Sequence, residues 1–264
     1  MSNIYIKIKS FYPVFFLFLL VLIIYLPPLL RGETLFYRDI CVQDYPLTEF
    51  VKNSIWNGEF PLWNPYLFSG FPQMASLQPP LFYPGIFIYL LFPFDIAITI
   101  LLIFHYLIGG IGIYLIARYW RLSKESGLLG GTVFILNGYM QELNNLEYIL
   151  WAASWLPYIF LYVNKLYDQQ KFKNFIFLIL FSSLQLATGR FDFFYFTFIF
   201  VSIWLLYRFF REKKFSININ ELKKILFIIS AFGFSVLLLS IQVFPVLEFI
   251  KTTVRSAGLT LKEA

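Results

Sequence analysis

The sequence predicts an all-α integral membrane protein of about seven crossing helices, and three observations predict it. Apolar runs long enough to cross a bilayer recur along the whole chain. Only 14% of the residues are charged while 59% are apolar, and the basic residues gather in alternate connections between the runs. A soluble domain is about 45–50% apolar and about 25% charged, and a chain of 264 residues could not hide so much apolar surface from water. The net charge of +6 does not mark a nucleic-acid binder, because the basic residues lie between apolar runs rather than along one stripe. A single cysteine, Cys41, excludes an intramolecular disulfide framework and a thiolate-rich metal site.

The first run, Phe11–Leu30, follows Lys7 and Lys9. A signal-peptide core is about 7–15 residues and ends at a small-residue cleavage site. This run is longer and leads into Pro27, Pro28 and Arg31, so an uncleaved span is expected. About 20 mostly apolar residues cross a hydrocarbon core, and further runs of that kind lie at Phe94–Tyr119, Ile149–Tyr167, Phe172–Thr188, Phe191–Phe209 and Ile225–Val246. Ser126–Leu143 is weaker, since it carries Gly127, Gly130, Gly131, Asn137 and Gly138. Charge parity restores it. The clusters Arg118, Arg121, Lys124 and Lys165, Lys171, Lys173 both read as cytoplasmic under the positive-inside rule, so two crossings are needed between them. Small residues also suit this segment to close helix packing. The resulting topology has seven spans with the N-terminus inside, and fourteen of the 21 basic residues fall on the inner side with four acids. The whole chain reads as one transmembrane module.

The connection over residues 31–93 is then one long external loop. Trp56, Trp63, Tyr66, Phe68, Phe71 and Tyr83 make it too aromatic for disorder. Asp44–Asn57 has the mixed three- and four-residue apolar spacing of a short interfacial helix. Leu81–Phe92 is apolar but only twelve residues long, as re-entrant or interfacial segments are. Between them, residues 58–72 alternate turn formers with aromatics, a pattern that suits the wall of a site as well as a headgroup belt. Asp39 and Asp44 open the loop. A carboxylate near the membrane surface can serve as a general base, since partial desolvation raises its pKa; Asp39 can equally pair with Arg38 or Arg31 and orient the loop. His105 lies within the second span, where an ionisable side chain is either functional or hydrogen-bonded to a neighbouring helix. Glu142 and Glu147, near Asn144 and Asn145, frame the outer turn before the fourth span, where they can bind sugar hydroxyls but are expected to form a solvated turn. No His/carboxylate set has metal-ligand spacing, and neither a metal nor a cofactor is expected.

Several blocks in order give a resemblance. They are Asp39 with Gln43 and Pro46; Gly58 followed by Pro61-Leu-Trp-Asn-Pro65; Gly70-Phe-Pro72; Gln78 leading to Phe82-Tyr-Pro84; His105 with Gly109, Gly112 and Tyr114; Trp155-Leu-Pro157; and Gln242-Val-Phe-Pro245 with Glu248 and Arg255. In these the chain resembles the N-terminal part of the YfhO family of bacterial membrane proteins, which are similar to the GT-C class of glycosyltransferases that use polyprenyl-phosphate sugars. The resemblance implies a GT-C-like module with a catalytic acid in the first external loop. It makes Asp39 the candidate base, with Asp44 second. It implies substrate contacts from Trp63, Gln78 and His105, and cationic help to a leaving phosphate from Arg190 and Arg255, which can instead pair with Asp192 and Glu248. Where family members often carry a Gly-His-x-Gln-like sequence, this chain has Gly189-Arg-Phe-Asp192, so no role of that His or Gln is carried over.

The expected function is transfer of a sugar from a polyprenyl-phosphate donor to an envelope glycan or lipid acceptor on the outer face of a bacterial plasma membrane. The expected partners are that donor, the acceptor and membrane lipids, with no nucleic acid. Family proteins are longer, so a truncated or split chain is expected. A transporter or flippase of lipid-linked sugars, or a non-catalytic subunit of a larger complex, is the alternative.

Overall fold

A computed structural model describes residues 2–33, 38–212, 219–253 and 258. The fold is all-helical, with 79% helix and no strand among the described residues. The helices are α1 (Ser2–Leu30), α2 (Tyr45–Trp56), α3 (Ile86–Leu91), α4 (Phe94–Tyr119), α5 (Lys124–Leu136), α6 (Gly138–Glu142), α7 (Glu147–Asp168), α8 (Phe172–Ala187), α9 (Phe191–Glu212), α10 (Ile219–Leu238) and α11 (Ser240–Ile250). Three stretches are long and apolar enough to cross a membrane: Tyr12–Leu30, Phe94–Tyr119 and Phe191–Arg211. The pair α10–α11, bent by 77°, makes a fourth if taken as one broken span.

The other expected spans take different forms. The expected helix over Ser126–Leu143 is two helices, because Asn137 stops α5 after 13 residues. Its side-chain Nδ2 donates to the Phe134 carbonyl at 2.7 Å, and its Oδ1 accepts from Met140 N at 3.0 Å, which caps α6. At 1.5 Å per residue α5 is about 20 Å long, against a hydrocarbon core of about 30 Å. Helix α8 is apolar but has 16 residues. Helix α7 is long enough at 22 residues, yet 16 of them are buried against other helices, so its faces need not be as apolar as lipid-facing ones.

Helix α7 is the hub. It packs on α4 and α8, while α1 and α5 pack on α4, and α10 on α8. Glycine permits the α4–α5 contact: a Cβ on Gly131 would stand 2.7 Å from the Gly110 carbonyl oxygen, and one on Gly109 2.3 Å from the Phe134 ring. Cross-helix bonds fix the direction of each helix. Tyr25 near the end of α1 donates to Asn144 Oδ1 at 3.0 Å, whereas Tyr12 meets Glu125 at the start of α5. Gln185 near the end of α8 donates to Ala152 O, early in α7, at 2.9 Å. Arg208 near the end of α9 bonds Asp168 at the end of α7 at 2.7 Å. One end of the bundle therefore gathers residues 38–93, the 137–147 turn and the starts of α7 and α9. The opposite end gathers the basic ends of α4, α7 and α9.

The connection between α1 and α4 is ordered by its own polar groups. Asn64 and Phe71 exchange both backbone hydrogen bonds, at 2.7 and 2.8 Å. Buried Asn64 donates to Gln73 Oε1 at 3.1 Å, and Gln73 donates on to Gln78 O at 2.8 Å. The expected interfacial helix forms as α2, and Lys52 and Trp56 tie it to the carbonyls of Phe92 and Leu90 at 2.8 and 3.2 Å. Within Leu81–Phe92 only the six residues of α3 are helical.

Candidate functional site

Residues 38–78 enclose a cleft of about 1060 Å³ whose lining includes Asp39, Gln43, Trp63, Tyr66, Phe71 and Gln78. Trp63 is held in place from behind by Gly70. At φ +122 that position suits glycine, and a Cβ there would lie 2.3 Å from the indole ring. Phe71 in turn packs edge-on against Phe249 of α11, with ring centroids 5.2 Å apart. The Gln43 side chain donates to Gln78 Oε1, which joins the single turn preceding α2 to the loop network.

A small recess of about 30 Å³ shares Asp39, Gln43 and Gln78 with the cleft and is closed by Asp44, Glu147 and Arg190. Its volume suits about one water molecule. Asp39 is exposed and opens to both cavities. Asp44 is only 4% exposed and Glu147 is fully buried. The Tyr89 hydroxyl donates to the Glu147 carboxylate, 3.0 and 2.9 Å from its two oxygens. Burial, reinforced by the charge of Asp39, pushes the Asp44 carboxyl up to about 7. Burial and then the Asp44 carboxylate push Glu147 up to about 8, although the Tyr89 bond opposes the rise. Two such acids lining one recess cannot both ionise cheaply in a desolvated space, so the pair keeps a proton to a higher pH than a free carboxyl does. The start of α7 supplies amide dipoles that favour the remaining negative charge.

Arg190 brings a cation to the same recess. Its Nη2 donates to Asp192 Oδ2 at 2.5 Å, so the expected local pair forms, but its Nε is buried with no hydrogen-bond partner. An exposed carboxylate, a proton-holding acid pair and a guanidinium thus meet beside an aromatic cleft. Such a set can accept a proton from a hydroxyl and balance negative charge on a phosphate.

Of the residues singled out from the sequence, Asp39, Asp44, Trp63, Gln78 and Arg190 come together here. His105 does not. It is fully buried in the core, with Nδ1 2.6 Å from Leu101 O, Nε2 2.5 Å from the Tyr83 hydroxyl, and its ring stacked on Trp151 at 5.1 Å. Trp155 Nε1 donates to the same hydroxyl at 3.0 Å, so the ring nitrogens of His105 are both engaged within the core and a substrate contact from His105 is not supported by its position. Arg255 lies outside the described residues. The solvated reading of the turn holds at Glu142, which is exposed, and is corrected at Glu147 and Asn144. Glu147 is fully buried, and Asn144 is taken up by the hydroxyls of Tyr25 and Tyr106, at 3.0 and 2.9 Å. Glu147 shares a helix face with Trp151 and Trp155, four and eight residues on, with Ala152 and Ala153 beside them. That face is the signal that points it inward.

No family model matches the chain, and no curated protein or solved structure does either. Among the described residues no group of three or more His, Cys, Asp and Glu side chains is arranged to hold a metal ion.

Proposed function

We propose that the protein is a membrane glycosyltransferase of GT-C type, related to the YfhO proteins, that takes its sugar from a polyprenyl phosphate. The observation that carries this assignment is the meeting of Asp39, Asp44, Glu147 and Arg190 at the edge of an aromatic cleft. The acceptor hydroxyl oxygen attacks the anomeric carbon of the donor. The bond from that carbon to the phosphate oxygen breaks, and its electron pair leaves with the polyprenyl phosphate. Asp39 takes the hydroxyl proton. Asp44 stands behind it with a carboxyl tuned near neutrality, which suits proton exchange at working pH. Arg190 balances charge on the leaving phosphate, while Trp63 and its neighbours offer flat apolar faces to sugar or prenyl groups.

Seven crossings with the N-terminus in the cytosol fit this role. Short α5 and well-covered α7 are then crossings shielded by neighbouring helices, and the cleft opens on the non-cytosolic side. The membrane is then a bacterial plasma membrane, the acceptor a polymer or lipid of the envelope. Transfer of labelled sugar from a polyprenyl-phosphate donor to envelope acceptors, in membranes holding the wild-type chain or Asp39→Asn, is the test. Loss of about 10²-fold or more with normal insertion is expected of a general base; transfer unchanged in Asp39→Asn and in Asp39→Asn with Asp44→Asn together sinks the assignment.

A second reading is favoured by one observation. The 77° bend between α10 and α11 is a broken helix, a device of transporters, and α11 reaches the cleft through Phe249. A flippase would move lipid-linked sugar across proteoliposomes without consuming it.

A further inference from the structure

We propose that the end of the bundle opposite the acidic cleft holds a binding site for a phosphate group, of the kind carried by the headgroup of an anionic glycerophospholipid. There the C-terminal ends of α4, α7 and α9 surround a cavity of about 830 Å³ lined by Arg121, Arg208, Arg211, Trp120, Trp204 and Asp168, among others. Asp168 is the one carboxylate in that lining, and it is already engaged: it accepts from the Tyr119 hydroxyl and from Arg208 Nη2, the latter at 2.7 Å. Arg208 is further fixed by Asn164 Oδ1 at 3.3 Å and by the Tyr167 ring, 4.1 Å from its Cζ. Among the described residues no carboxylate pairs with Arg121 or Arg211; Arg211 only overlies the Tyr207 ring at 5.9 Å. Among the described residues, the cavity therefore holds the guanidinium groups of Arg121 and Arg211 with no carboxylate paired to them.

Arginines at helix C-termini often serve the terminal carbonyls. At α4 that task falls to the backbone, since the N–H groups of Trp120, Arg121 and Leu122 donate to the carbonyls of Ile116, Arg118 and Ala117 at 3.0, 3.1 and 3.0 Å. Arg121 has φ +60, a left-handed conformation that glycine or asparagine would adopt at lower cost. A strained position held by an arginine points to a role for its side chain. Trp120 and Trp204, with ring centroids 6.4 Å apart, add the amphipathic rings typical of headgroup depth. Guanidinium forks match phosphate oxygens, and basic pockets between membrane helices are where anionic headgroups bind. The site stands whether or not the opposite end transfers sugar.

The test is native mass spectrometry of the detergent-solubilised full chain titrated with phosphatidylglycerol, phosphatidylcholine or inorganic phosphate. Phosphatidylglycerol is expected to bind and phosphatidylcholine not. Arg121→Gln with Arg211→Gln should weaken phosphatidylglycerol binding about 30-fold, from roughly fivefold to sixfold per arginine near an anionic surface. Lys171→Gln with Lys173→Gln, which removes the same charge nearby, should leave it unchanged. If the double arginine variant does not fold, Arg211→Gln alone should show about a fivefold loss. Inorganic phosphate binding as tightly as the lipid, with the same dependence on the arginines, supports the site and names a soluble ligand. Equal losses in the lysine and arginine pairs, or wild-type binding by the arginine variants, overturns it.

Discussion

Replacing Asp44 by asparagine separates the acid pair from simple packing. Asp44 is buried with its carboxyl raised from the ordinary 3.8 to about 7 by desolvation and by Asp39. At about 1.4 kcal/mol per pH unit that rise corresponds to about 4 kcal/mol. Sharing of the proton with Glu147 brings the expected effect to the order of 2–4 kcal/mol. The sign follows from which form the fold prefers. The folded state favours the protonated acid, so the associated stability is complete below the unfolded pKa, and it is lost as pH rises through about 7. Asparagine keeps the shape and removes the titration. Thermal unfolding followed by tryptophan fluorescence should show the wild-type midpoint falling between about pH 4 and about pH 8. Asp44→Asn should match the wild type at the acid end and exceed it at the alkaline end by about 5–10 °C. A wild-type midpoint indifferent to pH, or a variant weakened equally at both ends, refutes the proton-holding pair.

Other outcomes follow from the core and the loop. His105→Phe leaves the Tyr83 hydroxyl and Trp155 Nε1 with an incomplete network, and it should cost about 1–3 kcal/mol in denaturant titration while transfer per folded molecule stays at the wild-type level. Gly131→Val places side-chain carbons where the Gly110 carbonyl sits, so about 1–3 kcal/mol of overpacking should appear as a lower melting midpoint. Gly70→Ala removes the left-handed freedom at φ +122 and drives a methyl into the Trp63 ring; donor KM should rise while the global midpoint moves little. Asn64→Ala removes the donor to the buried Gln73 Oε1 and should speed proteolysis within residues 58–78 before the helices are touched.

Much of this arrangement is written in residue spacing. The apolar runs of α1, α4 and α9 are long enough to carry their helices through Pro13 and Pro27 in α1 and Gly109, Gly110 and Gly112 in α4, and the period of α2 is unbroken from Tyr45 to Trp56. Asp39 and Asp44 could be chosen because they open the one long external loop, and Trp63 because it stands among turn formers at fixed spacing. Other features depend on partners far along the chain. Asn137 ends α5 by local capping that outcompetes helix continuation inside an apolar run, a signal readable in Asn137-Gly138 once capping is weighed against hydropathy. The α10–α11 break at Leu239 has no glycine or proline beside it, so no local breaker residue marks it. Glu147 looked solvated because hydropathy ignores what Tyr89, more than fifty residues earlier, brings to it. His105 shows the converse: an ionisable side chain in an apolar run that the core itself fully satisfies.

Cys41 stands between Asp39 and Asp44, is exposed, and is the only thiol in the chain. Labelling intact cells with a membrane-impermeant maleimide should modify it from outside, without permeabilisation, if the acidic cleft faces the non-cytosolic side. Modification of Cys41 only after the membrane is opened to the cytosol would contradict that placement and the sugar-transfer chemistry built on it.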